Sequence, residues 1–276
     1  MDVEAESTTL IMARRPAVRI GTSGWSIPRA AAEQFESVGT HLRRYSLRLP
    51  CAEINSSFYR RHTASTYAKW RGSTPGDFQF AVKVPRTITH ERELRDTHEA
   101  LVEFLAETEG LAEKRGPLLV QLPPSVAFHQ PVVARFFDLM RELYGGAVVC
   151  EPRHATWFSR DVASLLERYK IPRVAADPAR VPAAAVPAGW SRLVYFRLHG
   201  SPRKYWSSYD GSYLAGLAGE MSRIARVAEV WCVFDNTASG AAIRNALDVH
   251  ERCTVGAGAG ERLTRQSSES SAGHGT

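Results

Sequence analysis

The chain is short of cysteine, of lysine and of long apolar stretches, and each shortage excludes something. Only four cysteines occur in 276 residues, Cys51, Cys150, Cys232 and Cys253, with no CxxC pair. A disulfide scaffold or a cysteine-based zinc site is therefore not expected, and a reducing cytoplasm is the natural compartment. No apolar run approaches the ~18 residues that a bilayer requires, so no membrane association is expected. The start, MDVEAESTTLIMARRP, is acidic and has no long apolar region, which argues against a secretory signal. Five lysines (Lys69, Lys83, Lys114, Lys170 and Lys204) stand among 35 basic residues, so arginine carries nearly all the positive charge. The net charge of +6 favours an anionic partner only weakly.

What is present is an ordinary globular composition, 44% hydrophobic and 23% charged. Residues 1–16 lack periodicity and are expected to form a disordered arm; 254–276 is rich in Gly and Ser and is expected to be a disordered tail. The GAGAG there follows no strand and opens no helix, so it is not a phosphate loop. This leaves 17–253 as a single domain. Within it, strand-like runs at 18–25, 51–59, 78–85, 118–124, 147–153, 172–178, 193–200 and 230–236 alternate with helical patterns. These helices are expected at 97–114, 132–143, 160–169, 212–228 and 238–251, with Ser159 as an N-cap. Eight βα repeats in a row predict an α/β fold, a single (β/α)8 barrel of the TIM type. A doubly wound sheet would need a glycine fingerprint after the first strand, and none is there.

Barrel strands alternate between lumen and helix layer. On the third strand, Phe78, Phe80, Val82 and Val84 share one face, leaving Gln79, Ala81 and Lys83 on the other. The same phase joins Glu53 with Asn55, Glu151 with Arg153, and Tyr195 with Arg197 and His199, while Gln121 and Asp177 hold late positions on their strands. Ionisable groups at the C-terminal ends of barrel strands mark the face where the active sites of this fold lie. Glu53, Lys83, Glu151 and His199 are candidate catalytic residues, because proton transfer needs such acids and bases side by side. Arg153 and Arg197 suit an anion clamp. Trp25, Asn55, Tyr59, Gln121, His154, Trp157, Asp177 and Asn236 complete a candidate substrate pocket, although Trp25 and Trp157 could equally pack the rim.

Other readings stay open. The same charges could form a buried ion-pair plug, which would show as a large stability cost on removing one partner. For a functional pocket, Lys83→Met and Glu151→Gln should each cost about 1 kcal/mol or less. Lys83 could form a Schiff base. A divalent metal on His90, His154, His199 and the carboxylates is an alternative without HExxH-like spacing, and no cofactor is expected. Ser23 and Ser57 lack a GxSxG setting. The loop HGSPRKYWSSYDGSY (199–213) interleaves Arg203 and Lys204 with Tyr205 and Trp206, which suits an anion, a nucleic acid or a lid. The stretch RTITHERELR (86–95) reads as a solvated turn.

Several segments in order carry a family resemblance: GTSGWS (21–26), EINSSFYR (53–60), FAVKVPRTITHER (80–92), GPLLVQLPPS (116–125), EPRHATWF (151–158), YFRLHG (195–200) and VFDNTASGAAIRNA (233–246). Together with Asp177 they resemble the domain of unknown function 72 family, YecE-like proteins. The resemblance spans about 18–250 and implies a TIM barrel with a site at these positions, and no particular reaction. Ile27, Pro152 and Asp235 depart from the pattern; Asp235 stands where the first of two asparagines is usual. The expected function is a cytoplasmic enzyme, a hydrolase or lyase, acting by acid–base chemistry on a small anionic substrate bearing a phosphate or a sugar. The alternatives are a nucleic-acid-binding or endonuclease-like barrel using 201–213, and a non-catalytic binding protein. The oligomeric state is open.

Overall fold

The computed structural model describes residues 18–254. The arm expected at 1–16 and the tail expected at 254–276 lie outside these residues, except that Thr254 ends the last helix. Ten strands form one sheet: β1 (Val18–Ser23), β2 (Cys51–Ile54), β3 (Gln79–Lys83), β4 (Arg115–Gln121), β5 (Val148–Glu151), β6 (Pro172–Arg173), β7 (Ala175–Asp177), β8 (Ala188–Gly189), β9 (Leu193–Leu198) and β10 (Glu229–Phe234). The order is β7-β9-β10-β1-β2-β3-β4-β5-β6-β8, parallel except for the β6–β8 pair.

That order contains the eight expected strands. β6 and β7 are one strand, 172–177, divided at Val174. The first part pairs with β5 through Cys150 and Arg173; the second pairs with β9 from Ala175–Phe196 to Asp177–Leu198. The Val174 amide still donates to the Cys150 carbonyl at 2.8 Å. The chain itself thus closes the ring, and β8 is a short extra edge.

The helices are α1 (His41–Ser46), α2 (Ala64–Gly72), α3 (His98–Thr108), α4 (Gln130–Leu143), α5 (Arg160–Arg168), α6 (Gly211–Ile224) and α7 (241–254). Ser159 caps α5 by accepting from the Val162 amide, as expected, and Asp210 does the same for α6 from the Tyr213 amide at 2.8 Å. Three corrections follow. The helix expected over 97–114 ends at Thr108 and continues as a 3-10 segment with Ala112 at φ 45°. Close approach explains the change: a Cβ on Gly110 would lie 2.1 Å from the Ala64 carbonyl of α2, so this turn packs backbone to backbone. Between β7 and β9 the chain makes only a 3-10 turn (Pro182–Ala185) and β8, so one of the eight crossover helices is missing. Finally, 86–95 is a solvated turn only in part, with its Arg and Glu side chains exposed. It winds into a π-helical turn (Thr87–Glu91) that buries Ile88, Thr89 and Leu94 against the core.

Strand phase follows the expected alternation. Phe78, Phe80, Val82 and Val84 pack outward with the helices, as do Val194, Phe196 and Leu198. Ala81, Leu119, Val149, Val174, Tyr195, Trp231 and Val233 fill the lumen. Trp231 stacks on Tyr195 with ring centroids 6.1 Å apart, and it presses so close to Gly116 that a Cβ there would sit 2.6 Å from the indole. The lower barrel is thus a packed floor, and polar groups appear only above it. Among the described residues no helix is long and apolar enough to cross a membrane. All four cysteines are free thiols.

Candidate active site at the barrel mouth

Above that floor five strands each deliver a charged side chain into the lumen. Glu53 is the penultimate residue of β2, Lys83 ends β3, Glu151 ends β5, Arg197 lies late on β9, and Asp235 follows β10. Arg197 is the hub. Its Nη2 donates to Glu53 Oε1 at 2.8 Å and its Nε to Glu53 Oε2 at 3.0 Å, while Nη1 reaches Glu151 Oε2 at 3.2 Å and Nη2 lies 3.0 Å from Asp235 Oδ2. The Tyr195 hydroxyl donates to Glu53 Oε2 at 3.0 Å, so Glu53 is fully engaged. Arg153 donates to Glu151 Oε1 from Nε at 2.9 Å, with Nη2 at 2.8 Å.

His199 lies between two carboxylates, its Nδ1 3.0 Å from Asp235 Oδ2 and its Nε2 3.3 Å from Glu151 Oε1. Burial alone would raise the Asp235 carboxyl, but the adjacent Arg197 and His199 outweigh it and hold it at about 2. Arg153, Arg197 and His199 likewise outweigh burial at Glu151 and keep it well below the usual carboxylate range. All three carboxylates therefore have cationic partners.

Lys83 has none. It is 5% exposed, its Nζ lies 3.9 Å from the centre of the Phe58 ring, and it makes no ion pair or hydrogen bond among the described residues. Burial and the nearby Arg197 lower its ammonium to about 8. His90 stands close by, edge-on to Phe58, its Nε2 3.5 Å from the Gln121 side-chain nitrogen. Burial and the charge of Lys83 lower His90 to about 4, so it is neutral at pH 7. From the loop after β9, Tyr205 meets the His199 ring edge-on at 5.5 Å, and Lys204 lies 5.1 Å from the Tyr205 ring. Lys204 is also without an ion pair; burial and Arg153 lower it to about 8. A narrow pocket of about 20 Å³ runs between Glu151, Arg153, Arg180, His199 and Lys204, and Lys83 lies outside its lining. The loop 199–213 is thus a lid over the mouth.

The expected residues divide accordingly. Glu53, Lys83, Gln121, Glu151, Arg153, Arg197, His199, Lys204 and Tyr205 come together. The others do not join them. Asn55 lies past the end of β2, its Oδ1 buried without a partner, rather than in phase with Glu53. Tyr59 is 69% exposed. Trp25 packs on Trp70 and Phe80, outside the lumen. Trp157 is buried against Phe128 and donates to the Val126 carbonyl, and His154 caps the turn that carries it. Asn236 ties the lid to α7 through Ser207 and Asn245, and Asp177 accepts from the Tyr209 hydroxyl at 2.7 Å. Arg203 stacks over Trp206 at 4.5 Å on the outer rim.

Sequence reasoning missed Phe58, which lies past its strand, and gave no site role to Tyr195. His90 was read only as a metal ligand. Asp235 was visible as a departure from the family pattern, which was its only signal. Among the described residues no group of three or more His, Cys, Asp or Glu is arranged to hold a metal ion. Two larger cavities, of about 540 and 480 Å³, open on the same face, the first between the segments after β2 and β3 and the second between those after β1 and β10. The first is lined by four exposed arginines, of which Arg61 pairs with Glu103 and Glu107 and Arg86 with Glu91. The mouth, where Lys83 is buried without an ion pair among the described residues, is the stronger site.

A closed parallel ring with a buried charge cluster at the C-terminal ends of its strands defines a TIM-type barrel protein. Comparison with known sequences narrows the class: the family described as "Protein of unknown function DUF72" matches residues 19–268, and the chain belongs to it. UPF0759 protein YecE of Escherichia coli is 30% identical over 145 residues, 52% of this chain and 51% of that protein, so the match spans about half of the relative's length. UPF0759 protein YunF of Bacillus subtilis is 24% identical over 213 residues, 70% of this chain and 74% of that one. Crystal structures of DUF72 family proteins share the fold. That from Enterococcus faecalis has a TM-score of 0.73 at 20% identity, covering 86% of this chain and 96% of its own. That from Thermotoga maritima has 0.72 at 24%, covering 85% and 98%.

Proposed function

We propose that the protein is an enzyme that acts by acid–base chemistry on a small anionic substrate, bearing a phosphate or a sugar acid, at the barrel mouth. One observation carries this reading: Glu53, Glu151 and Asp235 all turn to Arg197, Arg153 or His199, while the shielded ammonium groups of Lys83 and Lys204 make no ion pair among the described residues. An ammonium held there without a counter-ion is stabilised by a bound anion. Arg153 and Lys204 grip the anionic group, and Lys83, poised near neutrality, moves the proton. Glu53 spends both oxygens on Arg197 and Tyr195, and its part is to position Arg197. The reaction class that fits is a hydrolase or lyase in a reducing cytoplasm. Calorimetric titration of inorganic phosphate into the full chain tests the reading. Saturable binding, weakened about tenfold or more in Lys83→Met and Lys204→Met, is expected. Absence of binding by phosphate, sulfate and small carboxylates would overturn it.

A second reading has its own observation. Trp206 is 46% exposed with Arg203 stacked on it, a surface suited to a nucleobase.

A further inference from the structure

Arginine supplies 30 of the 35 positive side chains. It is the better residue wherever a site needs only a fixed charge or a two-pronged grip on an anion. A lysine in the middle of the mouth is therefore informative. What lysine has and arginine lacks is an amine that can lose its proton and attack carbon. Three features of Lys83 fit that use. Its side chain projects from the end of β3 on the lumen side, above Ala81. The three carboxylates of the mouth all turn to Arg197, Arg153, His199 or Tyr195, and none lies within 4 Å of the Lys83 nitrogen. On one side that nitrogen meets the Phe58 ring, an apolar wall that gives the charged form only a weak partner. The nearby Arg197 repels the ammonium further.

The other lysines differ. Lys114 is held by the carbonyls of Arg71 and Thr74, both at 2.8 Å, and by the Thr74 hydroxyl, so it closes the end of α2. Lys69 and Lys170 are exposed. Lys204 sits on the loop that covers the mouth, beside the Tyr205 ring.

We propose that Lys83 is a covalent catalyst whose amine condenses with the carbonyl group of a small aldehyde or oxo acid that also carries the anionic group. This rests on the anion reading above and names its substrate class. The ammonium first gives its proton to solvent. The nitrogen lone pair then forms a bond to the carbonyl carbon, the C=O π pair moves to oxygen, and that oxygen takes up a proton while the nitrogen gives one up. A second proton converts the hydroxyl to water, which leaves as the freed nitrogen pair closes the C=N bond. Solvent supplies and recovers those protons; His90, neutral and edge-on to the same Phe58 ring, adds no charge beside the amine. One water is released and no oxidant or reductant is consumed. The resulting iminium draws electrons from a C–H or C–C bond on the neighbouring carbon, which places the reaction among lyases rather than hydrolases.

Reductive trapping tests this. The full chain is incubated at pH 7 with cyanoborohydride and, in separate arms, glyoxylate, glycolaldehyde phosphate and uncharged glycolaldehyde; adducts are counted by intact mass and located by peptide mapping. A lysine lowered to about 8 has on the order of a hundredfold more free amine at pH 7 than an ordinary one. Lys83 should accordingly be labelled at least about tenfold faster than Lys69 and Lys170. The charged probes should outpace glycolaldehyde, and inorganic phosphate should compete with them. Lys83→Arg should abolish the fast adduct while still binding phosphate. Labelling at Lys83 no faster than at Lys69 and Lys170, or a fast adduct on Lys204 instead, overturns the proposal. The two readings fail separately. Phosphate binding without a fast Lys83 adduct removes the imine alone. Equal trapping of glycolaldehyde and the charged probes, with no phosphate binding, removes the anion.

Discussion

Arg197 grips Glu53 with two nearly parallel contacts, Nε to Oε2 at 3.0 Å and Nη2 to Oε1 at 2.8 Å, with both side chains 1% exposed or less. The two residues lie on β9 and β2, with β10 and β1 between them in the sheet, so the pair crosses the lumen rather than running along a strand. Such a pair gains little over apolar packing but is costly to break from one side only. It fixes the Arg197 fork, and the fork in turn fixes where Glu151 and Asp235 stand.

Lys83 and Glu151 differ in kind, against the expectation that both would be cheap to replace. Lys83→Met removes an ammonium with no partner, and it should be within about 1 kcal/mol of wild type or more stable. Glu151→Gln strips a charge from beside Arg153, Arg197 and His199, and it should cost about 3–5 kcal/mol. Urea unfolding of both variants decides the matter; equal, large losses would return Lys83 to the scaffold.

Alkaline pH provides a second check. The folded Lys83 loses its proton near pH 8, whereas an unfolded lysine holds it to about 10.5. Between these values the unfolded chain binds more protons, so this group makes the protein more stable as pH rises. The stability of wild type minus that of Lys83→Met should climb by about 3 kcal/mol between pH 8 and 10.5. A flat difference would show that Lys83 titrates as an ordinary lysine.

Acid works the other way at Asp235. Its folded value of about 2 lies below the ordinary 3.8, so its stabilisation is complete above about pH 4 and is lost as pH falls through 2. The contribution is about 2 kcal/mol. Asp235→Asn should leave a shallower decline of stability between pH 4 and 2; a decline as steep as in wild type would assign it to other carboxylates.

For the nucleic-acid reading, affinity for a short single strand should fall steeply with salt. Replacing Arg203 and Lys204 together should flatten that dependence, and Trp206→Ala should weaken binding at unchanged slope. No retention of any strand at low salt would dispose of this second reading.

Much of this was legible in the sequence, for a simple reason. Strand phase is a period-two property, so once Phe78, Phe80, Val82 and Val84 point outward, Ala81 and Lys83 must point inward. The same logic placed Glu53, Glu151 and Arg197. It failed just past strand ends, where period two no longer holds. Asn55 falls at the start of a 3-10 turn, Phe58 arrives from that turn, and the π-turn brings in His90. Pairing was also beyond reach: nothing local says that Arg197 would take three carboxylates and leave Lys83 with none. Trp25 and Trp157 had signals common to a pocket wall and a packed rim, and burial decided for the rim.

The division of strand six at Val174 has a mechanical meaning. Every other neighbouring pair around the ring shares several registered positions, whereas β5 and β6 share only Cys150 and Arg173. The barrel therefore has a seam, and the missing crossover helix leaves that seam with less cover than the rest of the wall. Local opening begins where the fewest interactions must be given up. The amide hydrogens of Arg173 and Val174 should thus exchange ahead of those on β3, β4 or β10. Asp177 and Arg180 continue the chain from this strand to the rim beside Lys204, so the wall yields on the flank from which a ligand would come.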